Sequence, residues 1–184
     1  MNQSNPRRVL AEGKYLRLVT SDGWDYAERV QASGAVVIVA VTDDDRLLLT
    51  EQYRVPVAAR VIELPAGIAG DEPDTRSEPL QSAARRELLE ETGFEAGELV
   101  ELTQGPPSAG LSSEVVTFFR ATGLRRVHQG GGVHREAIRV HAVPLDEVPA
   151  WLEEKRREGL LIDPKVYAGL HFTRSPSSRN DARQ

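Results

Sequence analysis

Between residues 9 and 31 the chain reads "VLAEGKYLRLVTSDGWDYAERVQ", a loose alternation of apolar and polar positions around a Ser-Asp-Gly turn at 21–23. That pattern predicts two or three exposed strands in hairpin order. Residues 34–42, "GAVVIVAVT", are continuously apolar and rich in β-branched side chains, as in a strand buried on both faces. An acidic turn at 43–45 leads into "RLLLTEQYR", so these two segments are expected to pair as a hairpin of the main sheet. "RVIELPAG" adds a short strand ending at Pro65. After a loop rich in Gly, Pro and Asp at 67–77, a helix is expected with Ser77 as N-cap and Gly93 just past its end. Further strands are expected near 98–104, 113–121 and 136–143, an amphipathic helix near 146–158 and a short helix near 163–171. The last stretch, "TRSPSSRNDARQ", is a polar tail expected to be disordered.

Strands and helices therefore mix without a steady β-α-β rhythm, which places the chain in the α/β class, with a mixed β-sheet covered by helices. The expected division is an N-terminal β-strand subdomain at 1–33, a main domain at 34–172 and the tail at 173–184. With 184 residues, 40% of them hydrophobic, the chain can bury a real core. A net charge of −5 without a basic stripe gives no electrostatic reason to bind nucleic acid or an anionic membrane. Small molecules and a second copy of the chain are the expected partners. The lack of cysteine excludes disulfides and thiolate metal sites. No long apolar run or signal-like start is seen, and the expected location is cytoplasmic.

The helix ahead of Gly93 carries the chemistry. At about 100° per residue, Leu80, Ala83, Ala84 and Leu88 form an apolar stripe, yet Glu87 and Glu91 lie inside it and Glu90 at its border. These three repel one another at i, i+3 and i+4, and they sit in the last turns, where the helix dipole favours cations. Carboxylates turned inward demand a compensating cation. Arg86 supplies part of it, and a hard divalent ion that prefers oxygen, Mg²⁺ or Mn²⁺, would complete it.

Glu78, seven further residues and "RELLEETGF" at 86–94 resemble the signature of the Nudix hydrolases. The family's upstream glycine would fall at 72, where this chain has Glu72; if Gly67 takes its place, the intervening loop is five residues longer. "GAVVIVAVTDDDRLLLTEQYR", "ELPAG", "PPSAGLSSE" and "EAIRVHAVPLDEV" are similar to the branch that hydrolyses ADP-ribose and other nucleoside diphosphate sugars. The resemblance implies a Nudix fold, a mixed sheet sandwiched between helices with an N-terminal antiparallel sheet. It also implies a homodimer joined through that N-terminal sheet.

The same resemblance implies roles for single residues. Glu87 and Glu91 would be the main metal ligands, Glu90 a further one, the Ala66 carbonyl a backbone ligand and Glu78 a support of the loop or an outer ligand. Arg86 would orient the carboxylates. Glu136, beyond a hinge at Gly130–Gly132, would be the base, with His134 as an alternative. Arg54, Glu114 and Trp24 are candidate substrate contacts, whereas Trp151 reads as core. The expected reaction is hydrolysis of ADP-ribose to AMP and ribose 5-phosphate, with UDP-glucose or GDP-mannose as rival substrates. A non-catalytic nucleotide sensor is disfavoured because every glutamate of the motif is kept. A glycosidase is disfavoured because its paired acids come from separate elements.

Overall fold

The computed structural model describes residues 6–70, 76–132 and 137–174. In chain order the strands are β1 (Arg8–Glu12), β2 (Leu16–Ser21), β3 (Trp24–Arg29), β4 (Gly34–Ala40), β5 (Arg46–Arg54), β6 (Ala59–Glu63), β7 (Ala66–Ala69), β8 (Phe94–Gly105), β9 (Val116–Arg126), β10 (Arg139–Pro144) and β11 (Leu161–Ile162). The helices are α1 (Leu80–Thr92), α2 (Val148–Arg157) and α3 (Pro164–Arg174).

The first three strands form an antiparallel sheet of their own, in the hairpin order expected. Asp22 and Gly23, both at positive φ, make the two-residue loop between β2 and β3, a geometry that matches strand twist. Val19 is buried, but Val9, Leu10, Leu16, Leu18 and Trp24 are exposed. The sheet is tied to the rest of the chain where the Ala27 N–H donates to the Leu111 carbonyl and the Ser113 N–H to the Ala27 carbonyl.

Two four-stranded mixed sheets make up the body, in the orders β7-β4-β9-β8 and β10-β5-β6-β11. Successive residues of β4 serve different cores. Ala35, Val37 and Val39 join Leu47, Leu49 and Ile62 beneath Val148 and Leu152 of α2 and Val166 of α3. Val36, Ile38 and Ala40 face Ala83, Ala84 and Leu88 of α1. A strand with helices on both faces needs apolar residues throughout, which is why 34–40 lacks polar alternation.

Several expectations are corrected. β4 and β5 do not continue as a hairpin: after one antiparallel bridge, Val41 with Leu47, they part into different sheets. The place beside β4 passes to β7, whose Ala66 pairs with Val37 and Ala69 with Gly34. The strand expected to end at Pro65 is thus two strands, β6 and β7, with Leu64 and Pro65 crossing from one sheet to the other. Helix α1 starts at Leu80 with Pro79, not Ser77, as N-cap. Proline fits there because its missing N–H would have had no helical partner. Thr173 and Arg174 finish α3, so any tail begins later; residues 175–184, and 71–75 of the long loop, lie outside the described residues. Among the described residues, no helix is long and apolar enough to cross a membrane.

Candidate active site

Burial of Ala83, Ala84 and Leu88 against β4, β8 and β9 fixes the rotation of α1. That rotation carries Glu91 inward, to 5% exposure, with Glu87 one turn earlier beside it. Gly93, at φ 77°, stops the helix, and its N–H donates to the Leu89 carbonyl at 2.8 Å. The chain returning after β9 then satisfies the open end: Gly131 N–H donates to the Glu91 carbonyl at 2.8 Å and Gly132 N–H to the Glu90 carbonyl at 3.0 Å. Two of the three glycines read from sequence as a hinge, Gly131 and Gly132, here hold the last turn of the glutamate helix.

Arg86 gathers the other carboxylates. Its Nη1 donates to Glu87 Oε1 at 2.9 Å and to Glu90 Oε2 at 3.3 Å. Its Nη2 donates to Glu78 Oε2 at 3.1 Å and to the Ile68 carbonyl at 3.2 Å. Burial works against the guanidinium charge, but Glu78 and Glu87 outweigh it and raise its pKa well above the ordinary arginine value. Arg86 therefore links α1 to both β7 and the segment entering the helix. Glu91 is held separately, its Oε2 accepting the Ala66 N–H at 3.1 Å.

In front of Glu87 and Glu91 lies a cleft of about 270 Å³, floored by the start of β4 and by β7. Gly67 forms part of its wall because nothing larger fits: a Cβ there would stand 1.9 Å from Glu87 Cδ. Arg54, at the end of β5, makes a bidentate pair with Glu63, Nε to Oε2 at 2.8 Å and Nη2 to Oε1 at 3.1 Å. Burial opposes the Arg54 charge as well, yet Glu63, with Glu91 and Asp163 behind it, raises its pKa. Arg29 of β3 reaches in to pair with Glu114. The cleft thus alternates acid and base, a surface suited to a polyanion accompanied by cations.

The NUDIX domain model matches residues 32–162. The chain belongs to the Nudix hydrolase family. Similar proteins include the methanol dehydrogenase activator of Bacillus methanolicus, 32% identical over 146 residues, covering 79% of this chain and 74% of that one. The ADP-ribose pyrophosphatase of Bacillus subtilis is 32% identical over 131 residues, 70% of this chain and 67% of the relative. The GDP-mannose pyrophosphatase of Citrobacter koseri is 30% identical over 156 residues, 80% of this chain and 76% of the relative. A crystal structure described as an ADP compounds hydrolase shares the fold, with a TM-score of 0.65, 23% identity and 82% of each chain covered.

Nudix hydrolases generally act with divalent metals, and the donors here fit a hard one. The acids nearest the cleft offer carboxylate oxygens, and neither sulfur nor imidazole lines it. Among the described residues, no three acidic or histidine side chains converge as a ready cage.

Of the residues singled out from sequence, Glu87, Glu91, Ala66, Arg54 and Glu114 line this one cleft. Glu78, Glu90 and Arg86 join it through the Arg86 contacts. Trp24 does not line it; the indole is 62% exposed and lies beside Gly110. Trp151 packs on the main core, its ring tilted against that of His141 with centroids 5.0 Å apart, as a core residue would. Glu136 and His134 lie outside the described residues. The sequence reading did not include Arg29, Gln52, Glu63 or Lys165, all of which line the cleft. Glu63 carried a usable signal, a charge closing an apolar strand run; the others converge only through tertiary structure.

Proposed function

We propose that this Nudix enzyme hydrolyses the diphosphate linkage of nucleoside diphosphate sugars, with ADP-ribose, cleaved to AMP and ribose 5-phosphate, as the leading substrate. The observation that carries the reading is the cleft in which Glu87 and Glu91 face Arg54 and Arg29, cationic groups placed for an anhydride bearing several negative charges. Relatives named for ADP-ribose and for GDP-mannose support the class of substrate, and the second keeps GDP-mannose as a rival.

Glu87 and Glu91, with Glu90 and the Ala66 carbonyl, would hold Mg²⁺. Bound there, the ion would neutralise the diphosphate and lower the pKa of a water. Arg86 keeps the carboxylates aimed, and Glu78 anchors Arg86 in turn. Arg54 and Glu114 would orient the substrate. Glu136 is the proposed base, taking the water's proton as its oxygen bonds to phosphorus and the bridging P–O bond breaks. Trp24, outside the cleft lining of its own chain, would meet substrate across a dimer. Such a dimer, in the cytoplasm, is part of the proposal, supported by the apolar residues that the N-terminal sheet exposes.

The test is a panel of ADP-ribose, UDP-glucose, GDP-mannose and nucleoside triphosphates, assayed by product release with Mg²⁺. ADP-ribose is expected to show the highest kcat/KM, and a preference for triphosphates would overturn the reading. Glu91→Gln is expected to fold and to lose more than the roughly 10–100-fold that removal of a supporting contact costs.

A further inference from the structure

Helix α3 contributes a cleft residue that the glutamate motif does not account for. Lys165 lines the same space as Glu87, Glu91 and Arg54, although it stands more than seventy positions beyond them in the chain. Its mount is firm. Val166, the next residue, is fully buried in the main core. Asp163 is fixed by its N–H, which donates to the Ile62 carbonyl at 2.9 Å, and its Oδ1 accepts the Lys165 N–H at 2.8 Å.

The ammonium group is held differently from the other cations of the cleft. Arg54 is locked by two hydrogen bonds to the largely buried Glu63 of the neighbouring strand. Arg29 pairs with Glu114, joining two distant parts of the chain. Lys165 Nζ pairs with Asp163 Oδ2, two residues away in the same segment. A compact ammonium on a four-carbon stem can leave such a local partner without separating two elements of the fold. Asp163 keeps its backbone contacts when it does.

We propose that Lys165 is a phosphate-binding residue of this cleft, exchanging Asp163 for a non-bridging oxygen of the substrate's diphosphate. The proposal rests on the hydrolase reading above and adds to it a direct protein contact that does not pass through a metal. A purely structural role would confine Lys165 to stabilising the start of α3.

The experiment compares wild type, Lys165→Met and Lys165→Arg in two assays, steady-state hydrolysis of ADP-ribose and calorimetric binding of ADP with Mg²⁺. Methionine keeps the apolar stem and removes the charge. Lys165→Met is expected to raise KM and the Kd for ADP about tenfold with kcat within about threefold, and Lys165→Arg to restore both affinities to within about threefold of wild type. If Lys165→Met leaves KM and Kd within twofold of wild type, or lowers only the melting temperature, the proposal is overturned while the hydrolase reading stands. A fall in kcat with unchanged KM and Kd overturns it as well. If wild type hydrolyses none of the sugar nucleotides, the functional reading fails and ADP binding alone decides the role of Lys165. If wild type neither hydrolyses the sugar nucleotides nor binds ADP, both readings fall; if it hydrolyses them without binding ADP, KM alone decides the role of Lys165. Should Lys165→Met not fold, Lys165→Gln is read in the same assays with the same criteria.

Discussion

Gly67 and Glu87 touch so closely that a β-carbon on the first would lie 1.9 Å from the carboxyl carbon of the second. The glutamate therefore reaches the cleft through the space that a side chain at 67 would fill. Gly67→Ala is expected to push the Glu87 carboxylate aside and lower kcat/KM by about 10–100-fold, as when a ligand's support is lost. Circular dichroism should show an unchanged fold, and an alanine variant of full activity would mean that Glu87 need not sit there.

Arg86 offsets three carboxylates, those of Glu78, Glu87 and Glu90. Arg86→Met should destabilise the metal-free protein by about 1.5–3 kcal/mol, the range for hydrogen bonds to charged groups. Added Mg²⁺ should then raise the melting temperature of the variant by more than it raises that of wild type, since binding to the folded state stabilises it. Thermal melts in EDTA and in Mg²⁺ check this; equal Mg²⁺ responses would argue that the ion and Arg86 do not share the same carboxylates.

The glutamate stripe was legible in the sequence because helical periodicity is local: the buried positions Ala83, Ala84, Leu88 and Glu91 need only the spacing of one element. The two-faced burial of 34–40 was legible for the same reason. The parting of β4 from β5 was not, because apolar runs show that a strand is buried and not which neighbour it takes. That choice depends on β7 occupying the edge of β4, a contact between positions about thirty apart in the chain. Ser77 misled as an N-cap because it is a good one in isolation, whereas the helix starts where Pro79 enters it. Arg29 and Lys165 reach the cleft from two further elements, and no short-range pattern announces such convergence.

Gly93 ends α1 at positive φ, and a β-carbon there would fall 2.2 Å from the His128 carbonyl oxygen. Gly93→Ala should cost at least about 1–2 kcal/mol from backbone conformation alone. At roughly 2–4 °C per kcal/mol for a chain of this size, that is a fall of several degrees in Tm. Activity should fall with it, because the displaced segment also carries the amides of Gly131 and Gly132 that hold the carbonyls of Glu91 and Glu90. A variant with unchanged Tm would show that the loop yields freely.

Glu51, buried on β5, accepts from Arg60 Nε at 2.5 Å and contacts His141 Nε2 at 2.9 Å, with Arg139 Nη1 3.8 Å away. Burial disfavours its charge, but Arg60 and His141 prevail and lower its pKa below the usual 4.5. A carboxylate of depressed pKa stabilises the fold above its unfolded value, and this contribution is lost as pH falls through the folded value. Glu51→Gln should thus be less stable than wild type by about 1.5–3 kcal/mol near neutrality, with the gap narrowing below about pH 4.5. Denaturant melts at several pH values decide it; a gap that does not narrow in acid would assign the cost to packing.

The crossing between the two sheets turns on a single peptide group. The carbonyl of Pro65 accepts the Ile38 N–H at 2.8 Å, and the amide on the other side of the same bond, that of Ala66, donates to Glu91 at 3.1 Å. Hydrogen bonds at both ends of one amide polarise it in the same sense. The Ala66 resonance is therefore a built-in probe of the Glu91 carboxylate: whatever takes charge from Glu91, proton or cation, should shift that signal, with a smaller shift at Ile38, whose N–H shares the amide, and unmoved signals elsewhere as the reference for an intact fold.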